Sequence, residues 1–96
     1  MKYMKAKEAR EKYLPKFKQI QAHLEKALSE LETENISYEE KFYLAQRLID
    51  IIHETVEVIN NLKDFQDDFE VYEDEIEMKL RLIRNEIADL PLFRVE

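Results

Sequence analysis

The two histidines and the carboxylates near them are the side chains with the widest scope for chemistry in this chain. Asp50 lies three residues before His53 and Glu57 four residues after it, so a helix would present all three near one face. Helical bundles use such faces to hold metal ions. The other histidine, His23, is expected opposite residue 47, about 9 Å along the helix axis from His53. Because the two heights match poorly, we expect exposed polar residues here and no metal site.

Two pairs of carboxylates form a second pattern, in which Glu54-x-x-Glu57 is followed by Glu86-x-x-Asp89. This pattern resembles that of the all-alpha nucleotide pyrophosphohydrolases, although His53 stands where that family has its first glutamate. The resemblance implies that the four carboxylates hold Mg²⁺ while water attacks a nucleoside triphosphate. We keep this enzyme as an alternative. In a chain with 22 acidic residues, we expect the four to be ordinary surface carboxylates.

Other kinds of catalysis have few candidate residues. Ser29, Ser37, Thr33 and Thr55 are the only serines and threonines, and cysteine is absent. None of the four has a histidine and a carboxylate at a spacing that suits a nucleophilic site. Glycine is also absent, which excludes the glycine-rich loops that bind phosphates and the tight turns of β-hairpins. The sequence therefore predicts a protein that is not an enzyme and needs no cofactor.

Charge is distributed unevenly along the chain. Residues 2–18, the basic segment, carry seven cations against two carboxylates; residues 64–77, the acidic segment, carry eight carboxylates and no cation. Such segments attract each other within a protomer, between protomers or across a contact with another protein. The predicted interaction residues are Lys2, Lys5, Lys7, Arg10, Lys12, Lys16 and Lys18 with Asp64, Asp67, Asp68, Glu70, Glu73, Asp74, Glu75 and Glu77.

Nucleic-acid binding is an alternative function for the basic segment. Its lysines would contact phosphates, and Tyr3 and Tyr13 would stack on bases. However, an isoelectric point near 4.9 gives the whole chain the wrong sign of charge for a nucleic acid. We therefore expect the basic segment to recognise an acidic protein surface, on its own chain or on another.

Apolar residues recur at every third or fourth position, which predicts helices. A stripe from Tyr13 to Leu31 predicts a first helix over about 15–33. Pro15 fits the first turn of that helix, because proline lacks the N–H group that a helix interior needs. Residues 1–14 are then expected to form a separate or kinked basic helix that packs weakly.

The second helix has the clearest start and the widest apolar surface. Ser37 is expected to accept a hydrogen bond from the Glu40 amide in a capping box, which begins a helix over about 38–65. Two stripes follow this helix: Tyr38, Phe42, Ala45, Ile49, Ile52, Val56 and Ile59 in one, and Leu44, Leu48, Ile51, Val58, Leu62 and Phe65 in the other. One neighbouring helix cannot cover so wide an arc. The second helix is therefore central in the bundle, or it also forms a subunit interface. We expect a homodimer, with Ile49 and Ile52 in the core.

A third helix over about 73–90 follows a break at 66–73, where neighbouring carboxylates repel one another. Pro91 ends this helix, because the residue before a proline avoids the helical conformation. The tail residues Leu92, Phe93 and Val95 are expected to pack.

Together these patterns predict an all-α protein, an antiparallel bundle of three main helices in a single domain of residues 1–96. Residues 15–96 would form the bundle and residues 1–14 the basic helix or arm. The apolar runs are shorter than a membrane span and no signal-peptide pattern is present, so we expect a cytoplasmic protein with no membrane partner. Its predicted role is protein–protein interaction, by self-association as a homodimer or coiled coil or with another protein.

Overall fold

Helices make up most of the described part of the chain, which in this computed structural model is residues 2–91. In chain order the elements are β1 (Tyr3–Lys5), α1 (Ala6–Glu30), a 3₁₀ turn (Leu31–Thr33), α2 (Tyr38–Asp64), β2 (Glu70–Tyr72) and α3 (Glu73–Ala88). The helices pack as a bundle with extents of 49 × 23 × 16 Å. The predicted helical bundle is thus confirmed, while the predicted packing of the tail 92–96 lies outside the described residues.

The first helix differs from its prediction, because it begins at Ala6 and has Pro15 in its interior. A proline at this depth loses a backbone hydrogen bond and crowds the carbonyl of Glu11, at a cost of about 3 kcal/mol. Tyr13 and Phe17 on either side are fully buried. Burying a large apolar side chain contributes about 1.5–3 kcal/mol, so the two together offset the proline. The prediction of a separate, weakly packed N-terminal helix is therefore wrong, since Ala6 itself lies in the core, whereas the alternative of a kink at Pro15 stays a prediction.

The all-α prediction is incomplete, because the structure also has two short strands, which had no signal in the sequence. β1 and β2 pair antiparallel, with Met4 opposite Val71. No tight turn is needed, because α1 and α2 lie between the strands in the chain. Beyond the strands, the amide of Ala6 donates to the carbonyl of Phe69 at 2.7 Å. This pairing fixes the start of α1 beside the residues that precede β2, whereas the Glu73 amide at the start of α3 donates to the carbonyl of Lys2 at 3.0 Å.

The second helix begins and ends as the sequence predicts. The side chain of Ser37 accepts a hydrogen bond from the Glu40 amide at 3.2 Å, which confirms the cap. α2 ends at Asp64 and α3 begins at Glu73, so the predicted break at 66–73 is also confirmed. We call the buried side of α2 the inner stripe; it consists of Leu44, Leu48, Ile51, Thr55, Val58, Ile59 and Leu62.

The other apolar side of α2 is not in the core. We call it the outer stripe; it consists of Tyr38, Phe42, Ala45, Ile49, Ile52 and Val56. Ile59, which the sequence pattern placed in the same stripe, is buried and belongs to the inner stripe. Ile49 and Ile52 are only half-buried, so their prediction as core residues is wrong. The reason is that α1 and α3 together leave this side of α2 partly exposed.

Candidate interaction surfaces

The strand pair brings the basic and acidic segments into contact within one chain. Lys5 lies 3.8 Å from Asp68, and Arg10 forms an ion pair with Asp67. The Arg10 guanidinium also donates to the carbonyl of Phe65 at 2.8 Å. Because the last carbonyls of a helix lack partners within it, this contact satisfies the end of α2 with a cation.

Glu73 is the centre of this junction, since its side chain is buried although it carries a carboxylate. The residue is 5% exposed. Lys12 Nζ donates to Glu73 Oε2 at 2.6 Å, and Lys2 Nζ lies 3.6 Å from Oε1. The Tyr13 hydroxyl donates to the same Oε2 at 2.7 Å. These hydrogen bonds, with Lys12 first, lower the pKa of Glu73 to about 2. A buried charge is thus matched by a cation and a hydroxyl donor.

Tyr13 of the basic segment contacts two carboxylates of the acidic segment. It is 1% exposed, and its hydroxyl lies 2.7 Å from Glu77 Oε1 as well as from Glu73. A hydroxyl has one proton, so it is shared between the two carboxylates. Burial, followed by these hydrogen bonds, raises the pKa of Tyr13 well above its ordinary value. Sequence reasoning placed Tyr13 in an apolar stripe and Glu73 in a charged segment, and no signal in either pattern identified the pair.

The remaining predicted interaction residues form no ion pair within the described residues 2–91. They are Lys7, Lys16, Lys18, Asp64, Glu70, Asp74, Glu75 and Glu77. Besides Glu77, which contacts Tyr13, two of them interact with a tyrosine. Lys16 Nζ lies 5.5 Å from the centre of the Tyr13 ring, and Asp74 raises the pKa of Tyr72. All these contacts lie within one chain. The interaction of either segment with a second chain therefore stays a prediction.

The outer stripe is a second candidate surface. Its residues follow one another at intervals of four and three, which places them on one helix face. Tyr38 is 82% exposed and Phe42 60% exposed. Both line a groove of about 340 Å³ with Leu28 of α1 and Ala45 of α2, and no residue of α3 contributes to it. The stripe therefore faces away from α3, along α1 and α2.

The carboxylates of the alternative enzyme site are partly brought together. Glu54, Glu57 and Glu86 line one depression between α2 and α3, whereas Asp89 follows the end of α3 and does not line it. Burial, then the nearby Glu54 carboxylate, raises the pKa of Glu86. Mg²⁺ prefers charged oxygen ligands, and the raised pKa disfavours the charged form of Glu86. Among the residues that the structure describes, no group of three or more histidines and carboxylates has a metal-binding arrangement.

Comparisons with protein-family models, with curated proteins and with solved structures find no match to this chain. From Lys2 to Pro91, no helix combines the length and the apolar character that crossing a membrane requires.

Proposed function

We propose that this chain is a non-enzymatic helical protein that acts through protein–protein contact and forms a homodimer through the outer stripe of α2. The exposed outer stripe is the observation that carries the proposal. Its six apolar residues lie on one face, and four of them, Ala45, Ile49, Ile52 and Val56, are already half-buried by their own chain. A second copy would remove the rest of this surface from water.

The free energy of association would come from the outer stripes of both copies. In a two-fold dimer each copy presents the same patch, so every apolar contact occurs in duplicate. From Tyr38 to Val56 the stripe extends about 27 Å along the axis of α2, at about 1.5 Å per residue. Removing apolar surface from water yields about 25 cal/mol per Å², so a helix-length strip on two copies supports a stable contact. The half-buried Leu28 of α1, which lines the groove with Tyr38 and Phe42, widens the strip.

In the proposed dimer two helical hairpins meet along α2. Antiparallel order within each hairpin is supported by contacts at both ends. At one end Lys41 Nζ donates to the carbonyl of Glu32 at 2.8 Å, and at the other Arg10 donates to that of Leu62 at 3.1 Å. Interleaved side chains along two long helices make a coiled-coil-like contact.

Such a small acidic protein is expected to work in the cytoplasm.

The proposal is tested by the mass of the protein in solution. The matched pair is Phe42→Ser in the outer stripe and Tyr43→Ser on another face of α2, since both aromatic residues are 60% exposed. At about 100 μM, where a dimer of micromolar affinity is formed, wild type and Tyr43→Ser should have twice the chain mass of 11.7 kDa. Phe42→Ser should approach the monomer mass. A monomeric wild type, or equal masses for both variants, would reject this interface.

The nucleotide hydrolase remains a second candidate, because Glu54, Glu57 and Glu86 share one depression. Its test is a thermal melt with millimolar Mg²⁺ together with an assay of nucleoside triphosphate hydrolysis. A rise in melting temperature that Glu57→Gln removes, together with turnover, would favour the enzyme.

Nucleic-acid binding is less favoured, since Lys2, Lys5, Arg10 and Lys12 already pair with carboxylates of the same chain.

A further inference from the structure

A second groove runs between α2 and α3, on the side of α2 away from the outer stripe. It encloses about 420 Å³, and its apolar lining includes Val58 and Leu62 of α2, Val71 of β2 and Ile76 of α3. These four residues are buried and form the floor of the groove, which therefore lies on the packed core of the fold. Its volume lies in the range of ligand-binding clefts.

Aromatic side chains form the walls at one end of this groove. Phe65 and Phe69 stack with ring centres 4.8 Å apart, and Tyr3 and Tyr72 lie 5.4 Å apart. All four line the groove. Aromatic rings of this kind give large contact areas with little loss of side-chain freedom, which is why they are enriched at binding surfaces.

The groove continues along α3 toward its carboxyl end. The depression that contains Glu54, Glu57 and Glu86 shares Val58, Asn61 and Lys79 with the aromatic end. From Glu75 to Glu86 the length along α3 is about 17 Å, which corresponds to about three turns of a helix. This shape fits an elongated occupant better than a compact one.

The charge along the groove is strongly negative. Its carboxylates are Glu54, Glu57, Glu70, Glu75 and Glu86, and its single cation is Lys79. None of the five carboxylates forms an ion pair within residues 2–91. Glu86 and Glu54 line the same depression, and burial, followed by the nearby Glu54 carboxylate, raises the pKa of Glu86. A cationic occupant would relieve this repulsion.

We propose that the groove between α2 and α3 binds a basic amphipathic helix of a different protein. The apolar face of that helix would lie on Val58 and Ile76 between the aromatic walls, and its lysines or arginines would meet the carboxylates on the rims. Helices bind in grooves in this way through side chains three and four positions apart. A second copy of this chain does not suit the site, because its basic segment already pairs with its own Asp67, Asp68 and Glu73.

The probe is a fluorescent peptide of about twelve residues, in which leucines and lysines alternate with helical periodicity to match the length of the groove. Two control peptides have the same composition in scrambled order, or glutamates in place of the lysines. Fluorescence anisotropy should show saturable binding of the first peptide that weakens with salt. Both controls should bind at least about tenfold more weakly. No binding, or equal binding of the scrambled peptide, would overturn the proposal.

Variants of the protein test whether the peptide binds in the groove between α2 and α3. Phe69→Ser at the aromatic end and Glu57→Lys at the acidic end should each weaken binding about tenfold, because each removes a central contact. Glu25→Lys, an exposed site on α1 with the same change of charge, should leave it unchanged. Circular dichroism verifies that the variants are folded. If Glu25→Lys weakens binding as much as Glu57→Lys, the interaction is non-specific and the groove is not the site.

This inference is independent of the proposed homodimer. Phe42→Ser should dissociate the dimer and leave peptide binding unchanged, since the outer stripe does not line the groove. Loss of peptide binding in that variant, with retained helicity, would show that the groove forms only in the dimer, and the inference as stated would be wrong.

Discussion

At the junction of the basic and acidic segments the chain satisfies its own polar groups, whereas along the outer stripe of α2 apolar side chains remain in water. Glu73 is buried and meets Lys12 and Tyr13 at hydrogen-bonding distance. Tyr38 and Phe42, in contrast, have most of their surface exposed. A buried carboxylate requires nearby donors, and here the same chain supplies them. An exposed apolar stripe is covered only by another molecule, so this stripe is the stronger candidate for association.

The largest effect should distinguish the two sides of α2. Ile51→Ala opens a cavity in the core and should cost about 2–5 kcal/mol in free energy of unfolding. Ile49→Ala, in the half-buried outer stripe, should cost about 1 kcal/mol or less when the protein is dilute enough to be monomeric. Urea unfolding of both variants measures this difference. Equal losses would mean that both stripes belong to the core of one chain.

The next effect concerns the junction. Tyr13→Phe removes the hydroxyl that donates to Glu73 and Glu77 and leaves two carboxylates with one donor fewer. Hydrogen bonds to charged groups contribute about 1.5–3 kcal/mol, so a loss of that size is expected in urea unfolding. Tyr43→Phe is the control, because Tyr43 is exposed on α2. If both variants unfold alike, the hydroxyl of Tyr13 does not stabilise the junction.

The junction should also be sensitive to acid. The pKa of Glu73 is about 2 in the folded chain, below its ordinary value of 4.5, so its contribution to stability is complete above pH 4.5 and is lost as pH falls toward 2. Melting temperatures across that range should fall less steeply for Glu73→Gln than for wild type. Glu70→Gln, a neighbour without an ion pair, should follow the wild type. Parallel curves for all three proteins would contradict this role of Glu73.

The smallest expected effect is at the start of α2, outside both the junction and the outer stripe. Ser37→Ala removes the cap of α2 and should cost about 1 kcal/mol. Because Ser37 belongs to neither the core nor the proposed interface, the mass in solution at high concentration should stay that of wild type. If Ser37→Ala lowers the free energy of unfolding more than Ile51→Ala does, the cap stabilises α2 more than its inner stripe does, and the account of the core is wrong.

Local patterns in the sequence predicted much of the fold, because their causes are local. The Ser37 cap, the break before Glu73 and the end of α3 near Pro91 each depend on a few neighbouring residues. The strand pair was not predicted, since Met4 and Val71 are far apart in the chain and neither has a strand pattern around it. Pro15 was misjudged because its local cost is offset by packing with distant residues.

The candidate surfaces were predictable only as sets of residues. Opposite charge indicated that the basic and acidic segments attract each other, and the structure shows such contacts within the chain. Charge alone did not indicate that Glu73 is buried. The two stripes of α2 have the same periodicity, so the positions of α1 and α3 decide that Ile51 is buried and Ile49 only half-buried.

The most direct test of the proposed dimer is a distance measurement between two copies. The chain has no cysteine, so His53→Cys places a single spin label at the edge of the outer stripe. Mixed with isotope-labelled wild type, the labelled protein should broaden the methyl resonances of Ile49, Ile52 and Val56 in the other copy. The methyl groups of Met78 and Leu82 on α3 should be unaffected. No broadening between copies, or broadening on α3 alone, would contradict an interface along the outer stripe.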